Sequence, residues 1–415
     1  MPNTFEYATW LAMECLDLLE TKRGLSQYYN TDYNGEFKKS FAVGDSVNVP
    51  FPAQFTVRNG LEYNPQAVTR RHATITFDEP FGVDFEWDSA EAYLRAPKGR
   101  DKIKREILDP AMAQLAQEID SRCALYAYQN TPNVTGAIDT APTTYDTTSA
   151  ACRQIMQEYG CPDSGDRCLV VNPKTMRGVK AANIGYYNPQ VDLSKQFRKG
   201  YVSYADGFDW FESMSLYKHT CGTYSGAASM TSAPANGATE LKITLNGSSD
   251  IVNKGDKIAI ASVLPVHPLS KRVFGTATKQ FTVTERFTGA TAATIKISPA
   301  VYFSGPYQNV DSQPQASAGI TFWPGTTSPT TKAGLIGLAL HKNAFALVGS
   351  ELEEPKGSSV ELVSQQRDPD SGIAVRFIRQ WDNRASKFIN RFDVMIGFGT
   401  FYNDACSVAL CLGTN

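Results

Sequence analysis

The sequence lacks the short motifs by which nucleotide-binding enzymes and zinc enzymes are most readily identified. It contains no Gly-Lys dipeptide, which excludes a P-loop for phosphate groups. Gly397-Phe398-Gly399 begins like a dinucleotide-binding fingerprint, but Tyr402 stands where the third glycine is required. Histidine is scarce, and the four histidines are His72, His219, His267 and His341. None begins a His-Glu-x-x-His sequence, so we expect no helix-borne zinc site and assign no metal or cofactor.

Long apolar runs and an excess of one charge are also missing. No stretch reaches the ~18 apolar residues of a membrane span, and Met1–Glu6 lacks the basic and apolar regions of a secretory signal. Lys and Arg total 40 against 42 Asp and Glu, a formal net charge of −2. We therefore expect no membrane partner, no tight sequence-independent binding to nucleic acid, and folding in a cytoplasm.

Cysteine usage and composition are those of an ordinary globular chain. No two cysteines form a Cys-x-x-Cys pair, and several lie in apolar stretches, which predicts small buried thiols in a reducing compartment. The eight are Cys15, Cys123, Cys152, Cys161, Cys168, Cys221, Cys406 and Cys411. With 415 residues, 42% hydrophobic and 20% charged, the chain should form about two or three structural units.

The N-terminal quarter of the sequence predicts an arm followed by a long hairpin. Residues 1–24 have the apolar spacing of an amphipathic helix, with Asn3 as its N-cap and Gly24 at its end. Gly-, Asn- and Tyr-rich sequence follows, so we expect this helix on an arm rather than in a core. Residues 41–87 alternate with a period of two around a turn at Arg58-Asn59-Gly60. Because an isolated hairpin is marginal in water, this pattern indicates a partner surface.

A helix of nearly thirty residues is predicted over residues 99–128. Apolar residues recur at every fourth position from Ile103 to Cys123. Pro110 cannot donate to the hydrogen-bond ladder and should kink or restart the helix. The regular pattern lasts only about three heptads, which is too short for a coiled coil. We therefore expect a spine within an elongated subunit.

The remainder alternates helix and strand, with one abrupt change of composition. Residues 150–159 predict a helix and Cys168–Val171 a short buried strand. After residue 222, Ser, Thr, Ala and Gly dominate, and short strands alternate, which predicts a small inserted all-β unit at about 223–328. The alternation of helix and strand patterns then resumes, and the sequence ends in clearly predicted strands.

Two features suggest chemistry, and for both a structural interpretation is favoured. Gly44-Asp45-Ser46 resembles the nucleophile block of Gly-Asp-Ser-type esterases, but no histidine has Asp three places before it, as the base of those enzymes does. Asp84, Glu86 and Asp88 offer oxygen ligands, yet their spacing places them on one strand face, typical of a solvated or salt-bridging surface. We assign no catalytic residue, keep the esterase as a remote alternative, and expect a structural subunit that functions through its interfaces.

Three segments give this order of elements a family resemblance. Lys254–Ile258 followed by Phe281–Thr284 is similar to the inserted domain of the coat proteins of P22-like short-tailed phages. Leu338–Leu347 resembles that family's segment re-entering the main body, and Arg391–Gly397 its strand near the C-terminus. The whole order resembles the Hong Kong 97-type fold of tailed-phage major capsid proteins, and the expected class is α+β.

The resemblance implies a division of the chain into six segments. They are an N-terminal arm at 1–45, an extended β-hairpin loop at 46–96, the spine helix of a peripheral domain at 97–139, the first part of an axial domain at 140–222, the inserted β domain at 223–328, and a return through both domains at 329–415. The inserted domain either supports its own subunit or reaches a neighbour to set shell curvature. Deleting residues 225–326 would distinguish these two roles.

The resemblance also implies a function. The chain would be a major capsid protein that self-assembles into pentamers and hexamers of an icosahedral shell around phage double-stranded DNA, made in the cytoplasm of a bacterial host. A scaffolding protein and a portal would be its partners, and DNA would be enclosed without sequence-specific binding. A tail-tube or decoration protein is the alternative, but neither needs the spine helix.

The hairpin loop is the expected contact with a neighbouring subunit. No lysine lies between Ser46 and Ala96, so we expect no isopeptide crosslink from this loop. Burial and charge pairing should hold the subunits together instead. Arg70 and Arg71 are expected to face acids such as Asp84 or Glu86 of another subunit. The candidate interface residues are Arg70, Arg71, Asp84, Glu86 and Asp88.

Overall fold

The computed structural model describes most of the chain. The described residues are 4–33, 46–57, 60–63, 65–68, 70–88, 104–182, 204–224, 228–247, 249–289, 292–323, 332–355, 360–384 and 386–413. Four features predicted from sequence lie outside them: the cap Asn3, Gly44-Asp45 of the esterase-like motif, the turn residues Arg58 and Asn59, and residues 97–103 at the start of the long helix.

Five α-helices lie in the described part of the chain. They are α1 Thr4–Lys22, α2 Asp109–Asn130, α3 Ala151–Glu158, α4 Pro173–Ala182 and α5 Asn403–Cys406. A 3-10 turn, Leu25–Tyr28, follows α1, and π turns at Lys104–Leu108 and Asp146–Ala150 precede α2 and α3. Among these described helices, none is long and apolar enough to cross a membrane.

Strands outnumber helices in the described part of the chain taken together. The first eight are β1 Ser46–Pro50, β2 His72–Phe77, β3 Phe81–Asp88, β4 Asn133–Thr135, β5 Arg167–Val171, β6 Tyr204–Ala205, β7 Phe208–Glu212 and β8 Lys218–Thr220. The next eight are β9 Ala228–Met230, β10 Ala238–Thr244, β11 Ile251–Val252, β12 Lys257–Ile260, β13 Gln280–Val283, β14 Phe287–Thr288, β15 Ala292–Val301 and β16 Gly319–Trp323. The last six are β17 Ala333–His341, β18 Phe345–Ser350, β19 Val360–Arg367, β20 Ala374–Asp382, β21 Lys387–Thr400 and β22 Ser407–Cys411.

The chain divides into two units, and each is assembled from three stretches of sequence. The first unit comprises Met1–Val49, His72–Cys123 and Phe345–Thr400. The second comprises Pro50–Arg71, Ala124–Ala344 and Phe401–Asn415. Because both units combine early and late sequence, each depends on pairing between residues far apart in the chain.

A seven-stranded sheet built around β21 organises the first unit. The main strand order is β1-β2-β21-β20-β19, and β3 and β18 also pair with β21. The N-terminal half of β21 lies between β3 and β20, with Phe392 opposite both Val83 and Phe377. Phe377 and Phe392 are buried with ring centroids 5.1 Å apart, so they form part of the core on one face of this sheet.

Helix α1 packs on this sheet, which corrects the prediction of a detached arm. It contacts β19 and β20, and Ala12, Cys15 and Leu19 are fully buried. The amphipathic pattern was therefore a core-facing stripe. The following residues are tied down as well, because Asp120 of α2 accepts the N–H groups of Gly24 (2.8 Å) and of the 3-10 turn.

The long helix is confirmed, with a change of hydrogen-bond pattern beside its proline. Residues Lys104–Leu108 form a π turn, and α2 begins at Asp109. Pro110 has no N–H to donate, so it is tolerated in the first turn of α2, where the N–H groups have no intrahelical acceptor. Met112, Leu115 and Ile119 are buried at the helical spacing that the sequence predicts.

The predicted hairpin forms only in part. β1 and β2 are neighbours in the sheet, but among the described residues between 51 and 71 there is no strand. β3 leaves the hairpin and runs antiparallel to β21, with Asp84 opposite Arg391. One two-stranded hairpin over residues 41–87 is therefore wrong beyond Phe77, because the partner of β3 comes from the C-terminal part of the sequence.

A second seven-stranded sheet lies in the second unit. Its order is β4-β22-β17-β5-β7-β6, and β8 pairs with the start of β17. All five residues of β5 are buried, as its apolar run predicts. β5 is parallel to β7 and antiparallel to β17. The buried strand and the flanking helices α3 and α4 confirm the mixed α/β pattern read from this part of the sequence.

A closed β-barrel forms within residues 228–323 of the second unit. Its strands follow the order β10-β15-β13-β12-β16-β9, and β9 pairs with β10 to close it. The apolar residues that alternate in the sequence, among them Leu241, Ile258, Phe281 and Ile295, are buried in its core. Closure leaves no unpaired edge strand, which suits a unit of short strands.

The barrel core should be sensitive to loss of a single ring. We expect Phe281→Ala to lower the free energy of unfolding by about 3–5 kcal/mol, because Phe281 is fully buried. Phe55→Ala makes the same change at a side chain that is 59% exposed and should cost less than about 0.5 kcal/mol. Guanidinium unfolding followed by tryptophan fluorescence, to which Trp323 at the end of β16 contributes, measures both. Equal stabilities would show that the barrel has no such core.

Candidate interaction surface

Residues 55–68 of the second unit present apolar side chains to solvent. The exposed fractions are 59% for Phe55, 95% for Val57, 98% for Leu61, 86% for Tyr63 and 61% for Val68. Single exposed apolar residues are normal, but a concentration in one short stretch marks a binding surface. We call these five residues the loop surface.

The stretch that carries the loop surface is held at its base and across its middle. The Phe51 N–H donates to the Arg71 carbonyl oxygen at 2.8 Å, and the Phe51 ring packs edge-on against Tyr402 at 5.4 Å. Farther out, the Gln66 amide donates to the Thr56 carbonyl oxygen (2.6 Å), and Gln66 Oε1 accepts the Thr56 N–H (2.9 Å). The loop is therefore fastened by polar contacts while its apolar side chains face outward.

The two candidate arginines differ in their surroundings. The Arg71 guanidinium lies over two aromatic rings of its own chain, 4.7 Å from the centroid of Tyr307 and 5.8 Å from that of Tyr302. Cation–π contacts of this kind contribute about 0.5–1 kcal/mol at exposed sites. The Arg70 side chain is exposed. Arg71 thus has a structural task within the subunit that sequence spacing did not indicate.

The candidate acids lie on β3, and Asp84 and Glu86 face cations of the same chain. Asp84 lies 3.9 Å from Arg391, and Glu86 lies 2.5 Å from Lys387, both on β21. Asp88 is in register with Lys387 at the end of the same strand pair. The salt-bridging interpretation of this face is confirmed for Asp84 and Glu86. Exposed pairs of this kind are worth only about 0–1 kcal/mol each.

A buried polar cluster surrounds Asp256 in the second unit. The carboxylate accepts hydrogen bonds from four donors: His219 Nε2 (2.7 Å), the Gly222 N–H (3.0 Å), the Tyr224 hydroxyl (2.5 Å) and the Asn253 N–H (2.8 Å). A carboxylate offers about four acceptor positions, so this one is fully used. Burial, reinforced by the Asp256 charge, raises the pKa of Tyr224 well above its usual value.

Lys257 follows Asp256 in the chain and is equally buried. Its ammonium group donates to the Tyr128 carbonyl oxygen (2.8 Å) and to Thr282 Oγ1 (2.9 Å), and it lies 4.3 Å from the centre of the Tyr128 ring. Burial lowers the pKa of Lys257 to about 7, and the Asp256 charge opposes that shift. A barrel residue is thereby joined to the last turns of α2.

The backbone before Lys257 is shaped for this close approach. Gly255 has φ +96°, and a Cβ added there would lie 3.0 Å from the Tyr128 ring, so any other residue is both strained and crowded. Sequence reasoning singled out Lys254–Ile258 only as a family signature. Charged residues in an alternating strand predict exposure, and nothing local reveals that Tyr128, more than a hundred positions earlier, covers this turn.

Ser164 and His341 form a serine–histidine pair that lacks the arrangement of a nucleophile and its base. The two side chains are joined through Nε2 at 2.8 Å, while His341 Nδ1 accepts the Asn343 N–H at 3.1 Å. Because Nδ1 is an acceptor, Nε2 carries the proton and donates to the serine, the reverse of the general-base arrangement. Burial and then Arg167 lower the pKa of His341, which favours this neutral form.

Two groups of side chains in the described residues have donor atoms that suit a metal. They are Cys161, His341 and Cys406, and His219, Cys221 and Asp256. In the first group both imidazole nitrogens of His341 are already engaged. In the second, Asp256 accepts four hydrogen bonds, as described above. Neither group therefore offers a metal an open set of three ligands.

A family comparison defines the class of this protein. A family model described as "P22 coat protein - gene protein 5" matches residues 85–411. A chain with this match is a coat protein, the structural subunit of a phage head. The match spans most of the sequence, and the chain belongs to the P22 coat protein family. It is a major capsid protein of an icosahedral shell, and the α+β fold class of the Hong Kong 97 type expected from the sequence is confirmed.

Three of the solved structures similar to this chain carry the names of phages. "Mycobacterium phage Che8" is 13% identical, with 95% of this chain and 92% of that chain covered and a TM-score of 0.49. "Capsid structure of the Cyanophage P-SCSP1u" is 10% identical, covering 90% and 85%, with a TM-score of 0.42. "Asymmetric unit of bacteriophage PhiM1 mature capsid" is 10% identical, covering 89% and 82%, with a TM-score of 0.41. No curated protein sequence matches.

Burial of Lys257 should make stability depend on pH. Below a pH of about 7 the amine is protonated in both states. Above it the folded chain releases the proton, whereas the unfolded chain, with a lysine pKa of about 10.4, keeps it, so stability rises with pH. We expect the native chain to gain about 1.6 kcal/mol relative to Lys257→Met between pH 7 and 8.5, with a slope that approaches about 1.4 kcal/mol per pH unit at the upper end.

Denaturant unfolding at half-unit steps from pH 6 to 8.5 measures this difference. Buried thiols, whose pKa values are raised by burial, oppose the trend at higher pH but cancel between the two variants. Lys254→Met, which changes an exposed lysine three residues earlier, should track the native chain at every pH. A flat difference between native and Lys257→Met would contradict the assignment.

Proposed function

We propose that this coat protein assembles as pentamers and hexamers, with the loop surface lying on a neighbouring subunit of the shell. The observation that carries the proposal is the concentration of exposed apolar side chains between Phe55 and Val68. Each large apolar side chain that becomes fully buried contributes about 1.5–3 kcal/mol. Five such residues on one loop can therefore supply a large share of a subunit contact.

The proposed contact is noncovalent. No lysine occurs between Ser46 and Ala96, so this loop lacks the amine that an isopeptide bond requires. Heterologous contacts around a ring repeat the same surface in every copy, so modest energies add up over the shell. Assembly through interfaces also leaves no task for a catalytic group, consistent with the proton arrangement of Ser164 and His341.

We further propose that the barrel is the inserted domain expected at 223–328, between an axial part at 140–222 and the return at 329–415. β8 ends just before the barrel and β17 begins just after it, and the two strands pair, with Thr220 opposite Ala333. Chain entry and exit therefore lie side by side, as they do when a domain is inserted into a hairpin. The buried contacts of Asp256 and Lys257 support a role within its own subunit, and Phe281→Ala should then also lower the yield of soluble subunits.

The remaining partners follow from the same assembly. We propose that the chain assembles in the cytoplasm of a bacterial host, with a scaffolding protein and a portal, around double-stranded DNA. The net charge of −2 supports enclosure of DNA without tight binding. The 46–96 loop and the 97–139 spine helix would belong to the peripheral part of the subunit.

Leu61→Asp tests the loop surface directly. Because Leu61 is 98% exposed, the subunit should fold normally, yet assembly should fall at least tenfold, since a carboxylate would have to be buried in the contact. Leu269→Asp makes the same change at a leucine that is 85% exposed in the barrel and should assemble normally. Coexpression with the neighbouring phage genes, sedimentation and electron microscopy give the yield. Normal shells from Leu61→Asp would refute the proposed contact.

The charge pairing proposed between Arg70 and the acids of β3 has its own test. Arg70→Glu should weaken assembly several-fold, because a like charge would then face Asp84 or Glu86 of the neighbouring subunit. Arg70 is the better choice than Arg71, whose guanidinium covers two tyrosines of its own chain. Arg272→Glu, at another exposed arginine, is the control. Indistinguishable shell yields from the two variants would reject the pair.

A further inference from the structure

Cys161 and Cys406 bring two thiols together in the second unit, although 245 positions separate them in sequence. Cys161 follows α3, and Cys406 ends α5. Their sulfur atoms lie within 4.8 Å of each other, and the Cys161 thiol donates to the Pro162 carbonyl oxygen at 3.7 Å. All eight cysteines are buried, and none is in a disulfide. This pair is therefore placed for a bond that the structure has not formed.

The pair suits disulfide chemistry better than metal binding. His341 is the third donor of the group, but its two nitrogens are engaged with Ser164 and with the Asn343 N–H. A metal would be left with two sulfur ligands, whereas a stable zinc site needs four ligands and usually three from protein. Two adjacent thiols need only an electron acceptor to form a bond.

Arg167 provides the charge that a reactive thiol requires. Its guanidinium is buried and donates to the carbonyl oxygens of Cys161 (3.2 Å) and Pro162 (2.9 Å), while its Nη1 atom lies 3.3 Å from Oδ1 of the exposed Asp163. A cation beside a sulfur stabilises the thiolate, the form that attacks a disulfide. The neighbouring Cys406 thiol, together with Arg167, lowers the pKa of the Cys161 thiol, and burial and the Asp163 carboxylate oppose that shift.

The order of reaction follows from exposure. Cys161 is 7% exposed, Cys406 2%, and the other six cysteines at most 3%. Cys161 is therefore the more accessible of the two and is assigned as the attacking thiol, with Cys406 as the resolving thiol. The two cysteines flank the barrel in sequence, so a bond between them would enclose the whole 228–323 segment in one covalent loop.

We propose that Cys161 and Cys406 form an intrasubunit disulfide when the coat protein meets a small disulfide oxidant such as oxidised glutathione. The Cys161 thiolate attacks one sulfur of the oxidant, forming a mixed disulfide and releasing one glutathione thiolate. The Cys406 sulfur then attacks Cys161, forming the Cys161–Cys406 bond and releasing the second glutathione. Two protein thiols are oxidised, one disulfide is reduced, and the two protons pass to the released thiolates.

The experiment exposes purified full-length chain to oxidised glutathione, alkylates the remaining thiols and maps peptides without reduction. Trypsin releases residues 154–167, with Cys161 as the only cysteine, and residues 392–415, with Cys406 and Cys411. We expect these two peptides joined, with fragmentation placing the bond at Cys406. The thermal unfolding midpoint should rise by several degrees and return on addition of dithiothreitol.

Matched variants separate this bond from general oxidation. Cys161→Ser should lose both the joined peptide and the thermal shift, and Cys221→Ser should keep both. Peptide mapping of the native chain alone decides the matter if either variant folds poorly. Alkylation of both Cys161 and Cys406 after exposure would overturn the proposal, as would a glutathione adduct that persists on Cys161. One equivalent of zinc in the purified chain, lost when these thiols are alkylated, would also overturn it.

Discussion

Backbone hydrogen bonding to the C-terminal strands is the constraint on which both units depend. β21 pairs with β2, β3, β18 and β20, and β22 lies between β4 and β17. β3 and β4 therefore have no strand partner until the last thirty or so residues are made, and an unpaired buried backbone group is costly. Pairing between such distant segments closes long loops and slows folding. Loss of β21 and β22 would leave β3 and β4 without a strand partner.

Within the second unit, buried charge fixes which surfaces of the barrel and of its neighbours meet. Asp256 accepts four hydrogen bonds, and Lys257 reaches the Tyr128 carbonyl oxygen at the end of α2. Lys279 forms a second buried contact, with Asp404, and lies 4.1 Å from the centre of the Tyr159 ring. Removing such charges from water costs several kcal/mol before pairing repays it, so they add little net stability. Their effect is directional, because any other placement would leave them unpaired.

Local patterns in the sequence predicted the strands and helices whose formation depends on residues close together in sequence. The alternation of Ile258 and Phe281 with polar residues gave the barrel strands, and the spacing of Leu115 and Ile119 gave the long helix. Each wrong prediction concerned which other element a strand or helix pairs with or packs against. β3 has the same alternation whether it pairs with β2 or with β21, and α1 has the same stripe on an arm or on a sheet. The burial of Lys257 and Lys279 was not predicted for a similar reason. The oxygen atoms that accept hydrogen bonds from their ammonium groups lie in elements that are distant in sequence.

The loop surface contrasts with these polar and charged groups, which have partners within their own chain. The acids of β3 already have cations of the same chain beside them, and exposed pairs exchange partners with little gain. The polar atoms of Thr56 and Gln66 likewise bond to each other. The side chains that this loop exposes to solvent are apolar: Val57, Leu61 and Tyr63 are almost wholly in water. Since apolar burial is the dominant favourable term in association, the contact between copies should be decided by the fit of these side chains, with charge selecting among possible registers.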